Sequence, residues 1–258
     1  MNATTWNSRW IVRRGPNSDA RLRLFCFSFA GAGASAFRAW HSLLPDWVEV
    51  AAIQLPGREN RISEVPYASI DGLMPPLVDE MFKHAPGAFA VFGHSVGALI
   101  AFEVCRFIRS EGRPQPVGLL VSAHAAPQIP YPGPFIHELP DADFVRELRR
   151  YQGTPEAVFQ SAELLAMVLP SLRADFSMLE TYEYDPQPPF DFPIWAFAGE
   201  EDLEAPAVLL EPWAEQTSAE FDLLTLPGDH FFLHTARERL LDAVRACLGR
   251  FASRPASL

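Results

Sequence analysis

A serine between two glycines is the first feature of this sequence that could carry out covalent chemistry. Residues 93–97 read Gly-His-Ser-Val-Gly and fit the pattern G-x-S-x-G. In that pattern, a sharp turn between a strand and a helix lifts the serine hydroxyl above a sheet, and the glycines leave room for the tight crossing. The apolar run Phe89–Phe92 precedes the pattern and the helical spacing Ala98–Ile108 follows it. We therefore predict Ser95 as a nucleophile.

A serine hydroxyl needs a base beside it, and the base needs an acid that orients it. In folds that use this turn, the order along the chain is serine, acid, histidine. His230 follows the last strand candidate, Phe221–Leu226, which places it at the same sheet edge as Ser95. His234 is the second candidate, whereas His124 precedes the acid. We predict His230 as the general base.

The acid should follow the strand that comes before the strand of the histidine. Glu200, Glu201 and Asp202 lie there, directly after a glycine. Asp202 is favoured because the turn and two intervening residues let its loop point inward, while the two glutamates face solvent. Asp229 is the alternative, but side chains adjacent in sequence, such as those of Asp229 and His230, diverge. We predict that Asp202 orients His230 and stabilises its imidazolium form.

The same chemistry needs two backbone N–H groups aimed at the developing oxyanion. The residue after the nucleophile, Val96, supplies one, and a loop after an early strand supplies the other. The segment Leu24–Gly33 supplies such a loop at the end of the first apolar run, and its small residues let a substrate approach the main chain. A phosphate-binding loop is the alternative, but neither Lys-Ser/Thr nor G-x-G-x-x-G follows.

The elements that must position these residues are short apolar runs alternating with helical segments. Runs apolar nearly throughout are typical of strands buried on both faces of a parallel sheet, although they do not exclude short buried helices. The sequence thus predicts an α/β fold with a mostly parallel, doubly wound sheet. The strand candidates are 22–29, 48–55, 89–92, 117–123, 193–198 and 221–226.

A helical insertion interrupts this alternation at about residues 125–190. We expect a helix over Asp141–Tyr151 and a second over Ala162–Tyr182 that breaks near Pro170. Between two strands, such an insertion favours a lid over the carboxyl edge of the sheet, and an ordinary helical layer is the alternative. Residues 1–258 are expected to form a single domain with this lid.

Composition restricts the partners and the location. The 258 residues are 48% hydrophobic and carry a net charge of −11, which argues against disorder and against nucleic acid as a general partner. No apolar run is long enough for a membrane helix, and the amino terminus has no apolar stretch of a secretory signal. Cys26, Cys105 and Cys247 have no metal-binding spacing and read as buried, reduced thiols. We expect a cytoplasmic protein, a monomer, with no metal.

Longer motifs are more specific than the serine turn, and they occur in a fixed order from Leu24 to Phe232. With them, the chain resembles the type II thioesterases of polyketide and nonribosomal peptide assembly lines, discrete α/β-hydrolases that remove acyl groups from carrier proteins. The motifs are Phe-Arg-Ala-Trp at 37–40, Gln-Leu-Pro-Gly-Arg-Glu-Asn-Arg at 54–61, Leu-Pro-Ser-Leu-Arg-Ala-Asp-Phe at 169–176, Glu-Thr-Tyr at 180–182 and Gly-Asp-His-Phe-Phe-Leu at 228–233.

The resemblance implies catalytic roles for Ser95, Asp202 and His230. It also implies that the N–H group of Ala30 joins that of Val96 as an oxyanion donor. The substrate would be an acyl thioester on an acyl or peptidyl carrier protein, which brings its own phosphopantetheine arm. The enzyme would therefore need no cofactor of its own.

Two positions depart from the family pattern. The oxyanion loop, usually Pro-His-Ala-Gly-Gly, here reads Ser-Phe-Ala-Gly-Ala, so Phe29 replaces a histidine at the mouth of the site and becomes a candidate substrate contact. Asp229 stands where members often have glycine. A second carboxylate beside His230 is predicted to raise the pKa of the imidazole.

Carrier proteins of this kind are acidic, as this chain is, so docking requires a local basic patch. Arg146, Arg149 and Arg150 in the predicted lid, with Arg58 and Arg61 near the sheet edge, are the candidates. The alternative is that these arginines are ordinary solvated surface residues.

Three other functions use or retain the same fold. A general carboxylesterase or lipase has the same three residues. A cyclising terminal thioesterase does too, although a chain that starts at its own methionine without a carrier domain favours a stand-alone enzyme. A catalytically inactive hydrolase fold that only binds a partner is the third, and an intact order of serine, aspartate and histidine argues against it.

Overall fold

One seven-stranded sheet organises the chain in the computed structural model, which describes residues 8–13, 17, 19–83 and 87–252. The strand order is β1-β3-β2-β4-β5-β6-β7. Strands β2 to β7 pair in parallel, and β1 pairs antiparallel to β3 at the edge. The strands are β1 Ile11–Val12, β2 Leu22–Phe27, β3 Val48–Ile53, β4 Phe89–His94, β5 Leu119–Ser122, β6 Ile194–Gly199 and β7 Phe221–Leu226.

Helices cover both faces of this sheet. The α-helices are α1 Trp40–Leu43, α2 Ile70–Lys83, α3 Val96–Ser110, α4 Asp141–Tyr151, α5 Glu156–Phe159, α6 Ala162–Glu180, α7 Ala207–Leu210, α8 Phe232–Thr235 and α9 Arg237–Ala252. Short 3₁₀ helices span Ala34–Phe37, Glu59–Arg61 and Glu211–Gln216.

Alternate residues of the strands belong to different cores, because successive side chains in a strand point to opposite faces. On β2, Phe25 and Phe27 pack with α2 and α3, while Leu24 and Cys26 pack with α1 and α9. Both sets are fully buried, which explains the continuous apolar runs. The predicted mostly parallel, doubly wound α/β sheet is confirmed.

The segment between β5 and β6 is helical, as the sequence indicates. It holds α4, α5 and α6, which share a small core of their own. The predicted break near Pro170 is wrong, since α6 continues through the proline to Glu180. A proline inside a helix removes one backbone hydrogen bond, and the buried side chains of Leu172 and Phe176 hold the helix beyond it. Whether this segment acts as a lid remains a prediction.

Three loops at the carboxyl ends of β4, β6 and β7 lie at one edge of the sheet, because these strands run parallel. The loops after β6 and β7 are in close contact. A Cβ atom at Gly199 would lie 2.6 Å from the carbonyl oxygen of Gly228, so only glycine fits at this position. The edge thereby gathers Ser95, Asp202 and His230 from distant parts of the sequence.

Candidate active site

The turn at Ser95 has the strained geometry that the glycine pattern predicts. Ser95 lies between β4 and α3 with φ 56° and ψ −130°, a conformation that non-glycine residues rarely adopt. A Cβ at Gly93 would lie 2.1 Å from the carbonyl oxygen of Gly97, and one at Gly97 would lie 2.4 Å from that of Ser28. The backbone N–H of Ser95 donates to the carbonyl of Ser122 on β5 at 2.8 Å. The turn is thus fixed from both sides.

The predicted serine, histidine and aspartate form one continuous hydrogen-bonded chain. His230 Nε2 lies 3.0 Å from Ser95 Oγ, and His230 Nδ1 lies 2.9 Å from Asp202 Oδ2. Because a carboxylate only accepts, Nδ1 carries the proton and Nε2 is free to accept the serine proton. This arrangement is the one in which imidazole can act as a general base.

Asp202 is buried and held as a carboxylate. Burial alone would raise its pKa, but the hydrogen bond and charge of His230 and the N–H groups of Ala205 and Glu204 outweigh burial, so the pKa of Asp202 lies below its ordinary value. Those two N–H groups donate to Oδ1 at 3.0 and 2.9 Å. The second carboxylate oxygen is therefore left to orient His230.

The competing candidates lie elsewhere. His234 is exposed, and its ring stacks edge-on with that of Phe29 at 5.6 Å. The Asp229 carboxylate accepts the backbone N–H of Phe231 at 2.8 Å and does not bond to the imidazole. His124 Nδ1 donates to the adjacent carbonyl oxygen, and burial lowers its pKa to about 4.

His94, the residue before the nucleophile, holds the loop of the predicted catalytic histidine. Its Nε2 donates to the backbone carbonyl of His230 at 2.9 Å, so its Nδ1 accepts the hydroxyl of Ser122, also at 2.9 Å. Burial and the neighbouring charge of His230 lower the pKa of His94 to about 3. His94 is thus a neutral imidazole that holds the backbone of His230. Its position beside the serine was the only available signal.

Two backbone N–H groups near Ser95 are available to an incoming ligand. Val96 opens α3, and Ala30 lies in the loop after β2. Neither N–H donates to an acceptor within the part of the chain that the structure describes. Free donors at the start of a helix and in a small-residue loop are suited to stabilise an oxyanion.

Phe29 fills the space beside the His230 loop. Its half-buried ring meets those of Phe231 at 5.3 Å and His94 at 6.1 Å, both edge-on. The apolar ring of Phe29 therefore occupies the position where the resemblance would place a histidine.

Arg58 and Arg61 do not face a partner, so the expectation that they form a surface patch is wrong. Both side chains are buried. Arg58 pairs with Asp175, and Arg61 pairs with Glu64 while donating to the carbonyl of Gln54. Their charges are used inside the protein because a buried guanidinium requires a partner.

The three arginines of α4 are exposed, and each faces a carboxylate. Arg149 also lies over the ring of Phe159, 4.4 Å from its centroid. An incoming acidic surface would have to compete with these local pairs, which are worth little individually in water. The pairs are Arg146 with Asp143 at 2.6 Å, Arg149 with Glu156 at 2.6 Å and Arg150 with Glu147 at 2.8 Å.

The described part of the chain also bears on metal-binding residues, reactive cysteines and membrane-spanning helices. Among those residues, no group of three or more His, Cys, Asp or Glu side chains could hold a metal ion. Cys26, Cys105 and Cys247 are free thiols in the core, and burial raises the pKa of each, that of Cys247 to about 12. None of the described helices is both long and apolar enough to cross a membrane.

Comparison with known proteins gives the family. A model of the thioesterase domain matches residues 22–248. The gramicidin S biosynthesis protein GrsT of Aneurinibacillus migulanus is 46% identical over 235 residues, which cover 91% of this chain and 92% of that protein. RedJ, a thioesterase of the prodiginine pathway in Streptomyces coelicolor, has a TM-score of 0.83 at 38% identity, and the match covers 90% of this chain and 87% of the RedJ chain. The type II thioesterase BorB of the borrelidin cluster has a TM-score of 0.83 at 33% identity, with 94% and 97% covered. The chain therefore belongs to the thioesterase family of α/β-hydrolases, as a type II thioesterase of nonribosomal peptide and polyketide pathways.

Proposed function

We propose that Ser95, His230 and Asp202 hydrolyse acyl thioesters carried on the phosphopantetheine arm of carrier proteins. The observation that carries this proposal is the unbroken hydrogen-bonded chain from Ser95 Oγ through the imidazole to Asp202 Oδ2. Two relatives support it: GrsT is a gramicidin S biosynthesis protein, and BorB is a type II thioesterase of the borrelidin biosynthetic cluster.

In the first half-reaction, Ser95 Oγ attacks the thioester carbonyl carbon while its proton moves to His230 Nε2. Asp202 stabilises the imidazolium that forms. The N–H groups of Ala30 and Val96 donate to the oxyanion of the tetrahedral intermediate, and each such donor is worth about 3–4 kcal/mol by precedent.

The intermediate then collapses with cleavage of the carbon–sulfur bond. The pantetheine sulfur leaves, and His230 returns the proton to it. A thiol with a pKa of about 8.5 leaves more readily than an alkoxide, so acid assistance matters less than it would for an oxyester.

In the second half-reaction, water replaces the thiol. His230 takes a proton from water, the hydroxide attacks the acyl-serine carbonyl, and Ser95 Oγ leaves with that proton. The products are a free acid and a carrier protein with a free thiol. The chain contributes the side chains and backbone donors, and water is the second reactant.

The test is Ser95→Ala, compared with the wild-type protein on an acyl-carrier thioester. We expect kcat to fall by at least about 10³-fold, and labelling by a fluorophosphonate to disappear. The proposal is wrong if the variant retains more than a few per cent of the wild-type rate.

Further substrates separate the alternatives. Faster turnover of oxyesters than of carrier thioesters would identify a general esterase. Conversion of a peptidyl thioester into a macrocycle would identify a cyclising enzyme. A wild-type protein that the phosphonate does not label would be a binding module.

We further propose that the carrier protein docks against two basic surfaces. The exposed lid arginines Arg146, Arg149 and Arg150 would meet its acidic residues. The phosphate of the arm would enter an open groove of about 530 Å³ beside the oxyanion loop. Arg38 and Arg237 line this groove with Phe29 and His234, and neither arginine has an ion-pair partner among the residues described. Glu59 also lines the groove, where its carboxylate accepts the N–H of Ser35.

We propose a cytoplasmic location, which the three buried free thiols support, and a monomeric state. Sedimentation of the purified protein measures the oligomeric state directly.

A further inference from the structure

A buried ion pair lies beneath the loop that carries Ala30. Asp175 is fully buried on α6, and its Oδ2 accepts the N–H of Gly31 at 2.7 Å. Arg58 donates to both oxygens of the same carboxylate, from Nη1 at 2.7 Å and Nη2 at 2.9 Å. A hydrogen bond at Gly31 fixes the peptide directly after the proposed oxyanion donor, Ala30.

The pair holds the loop from more than one side. Arg58 Nη1 also donates to the carbonyl of Ala32 at 3.3 Å. The side chain of Gln54 joins the Arg58 backbone to the other end of the loop, because its Nε2 donates to the Arg58 carbonyl and its Oε1 accepts the N–H of Ala34. Side-chain hydrogen bonds from Arg58, Asp175 and Gln54 therefore hold the backbone of this loop in place.

Helix α6 adds a steric contact one turn before Asp175. A Cβ atom at Gly31 would lie only 2.5 Å from Leu172 Cδ2, so the leucine closes over the glycine. Leu172 and Asp175 are three residues apart and lie on one face of the helix. The loop backbone thus touches α6 through one apolar and one charged contact.

We propose that Arg58 and Asp175 are positioning residues that set the oxyanion donor of Ala30 and make it depend on the seating of α6. This inference rests on the proposed hydrolase function of Ser95. Removing the charge of either partner leaves the other buried and uncompensated, and the loop then shifts. An oxyanion donor acts only when it lies about 2.7–3.1 Å from the oxyanion, so a small shift lowers the rate.

The central variant is Asp175→Asn, tested on an acyl-N-acetylcysteamine thioester and on an alkyl trifluoromethyl ketone. The ketone accepts Ser95 Oγ at its carbonyl carbon, its carbonyl oxygen becomes an oxyanion, and the serine proton moves to His230. We expect kcat to fall about 10- to 100-fold with KM little changed. Ketone affinity should fall by a similar factor.

Glu180→Gln is the matched control. Glu180 is another buried carboxylate on α6, but it accepts the N–H groups of Ile136 and His137, away from the oxyanion loop. This variant should lose stability and keep both kcat and ketone affinity. An equal loss in the two variants would mean that Asp175 is only structural and would overturn the proposal.

Arg58→Lys tests the same contact if Asp175→Asn does not fold, since lysine keeps the charge and loses the two-pronged hydrogen bond. The proposal fails if a folded variant of either residue keeps kcat and ketone affinity within twofold of the wild-type values. A wild-type protein that binds the ketone but does not cleave carrier thioesters would contradict the proposed substrate alone. One that binds no ketone would overturn both proposals.

Discussion

The reactivity of the site depends on which nitrogen of each histidine carries a proton. The Asp202 carboxylate fixes the proton of His230 on Nδ1, whereas the carbonyl of His230 fixes that of His94 on Nε2. The two rings lie side by side, with centroids 5.6 Å apart. Two cations this close in a buried site would repel, so a neutral His94 lets His230 take up a proton during the reaction.

At this scale, we predict a pH-dependent contribution of His94 to stability. Its pKa is about 3 in the folded protein and 6.5 ordinarily, so the unfolded chain binds the additional proton between these values. Stability from the neutral imidazole is therefore full above pH 6.5 and is lost as the pH falls towards 3. His94→Gln should make the unfolding free energy depend less steeply on pH in this range, by up to about 1.4 kcal/mol per pH unit.

Urea unfolding of both proteins at pH 7 and pH 5 measures the difference. His124→Gln is a useful comparison, because the pKa of His124 is also lowered, to about 4, and its slope should change in the same direction. An identical pH slope in the wild-type protein and His94→Gln would contradict the prediction.

Close crossings between elements, rather than the elements themselves, bring the reactive groups together. The turn between β4 and α3 crosses the end of β2, where Gly97 approaches the carbonyls of Phe27 and Ser28. These are backbone atoms of the strand that leads into the oxyanion loop. Geometry at the nucleophile and at Ala30 is therefore coupled through main-chain contacts.

At the scale of elements, we predict that Gly97→Ala strongly destabilises the packing of α3 against β2. Its Cβ would lie 2.4 Å from the Ser28 carbonyl oxygen, so β2 and α3 would have to separate. We expect a loss of at least about 2 kcal/mol in unfolding free energy, with much slower phosphonate labelling.

Gly249→Ala on α9 is the matched control, since among the described residues no atom beyond its own helix backbone and chain neighbours lies within 4 Å of the added Cβ. There, alanine should raise stability by up to about 1 kcal/mol. Calorimetry and denaturant unfolding of both variants test the contrast. Equal stability changes would show that the crossing is not tight in solution.

At the scale of the whole molecule, the features that could be predicted are those encoded in short stretches of the sequence. Strands β4 and β6, which lead to Ser95 and Asp202, are buried on both faces and read as continuous apolar runs, whereas β7 is only partly buried. Helix α4 was predicted with its observed bounds because acidic residues open it and arginines close it. The edge strand β1 has only two residues, and α2 contains two consecutive prolines, so neither has a readable pattern. Their structure depends on packing against the rest of the chain.

The site divides in the same way. The order of serine, acid and histidine along the chain was readable, because parallel strands bring their carboxyl ends to one edge. The pairing of Arg58 with Asp175 was not, since 117 positions separate them and arginine in a polar motif resembles a surface residue. Long-range ion pairs leave no local signal in a single sequence.

Charge distribution belongs to the same scale. With a net charge of −11, the chain repels an acidic carrier at long range, so docking requires local cations. We predict that Arg149→Glu with Arg150→Glu raises KM about tenfold for acyl-carrier substrates only. Arg38→Glu with Arg237→Glu should raise KM for these and also for an acyl-phosphopantetheine, which carries the phosphate without the protein.

Acyl-N-acetylcysteamine thioesters are the control substrate, because they lack both the phosphate and the carrier. Neither double variant should change their KM. Equal effects on all three substrates would refute docking at both surfaces.

The close approach of Gly199 and Gly228 has an evolutionary consequence. Because the loops bearing the acid and the base meet through main chain, their spacing does not depend on the side chains of the helical insertion. Substitutions in α4, α5 and α6 that leave Asp175 in place could therefore reshape selectivity for the acyl group without disturbing the proton relay. One unchanged catalytic frame could in this way serve pathways that build very different products.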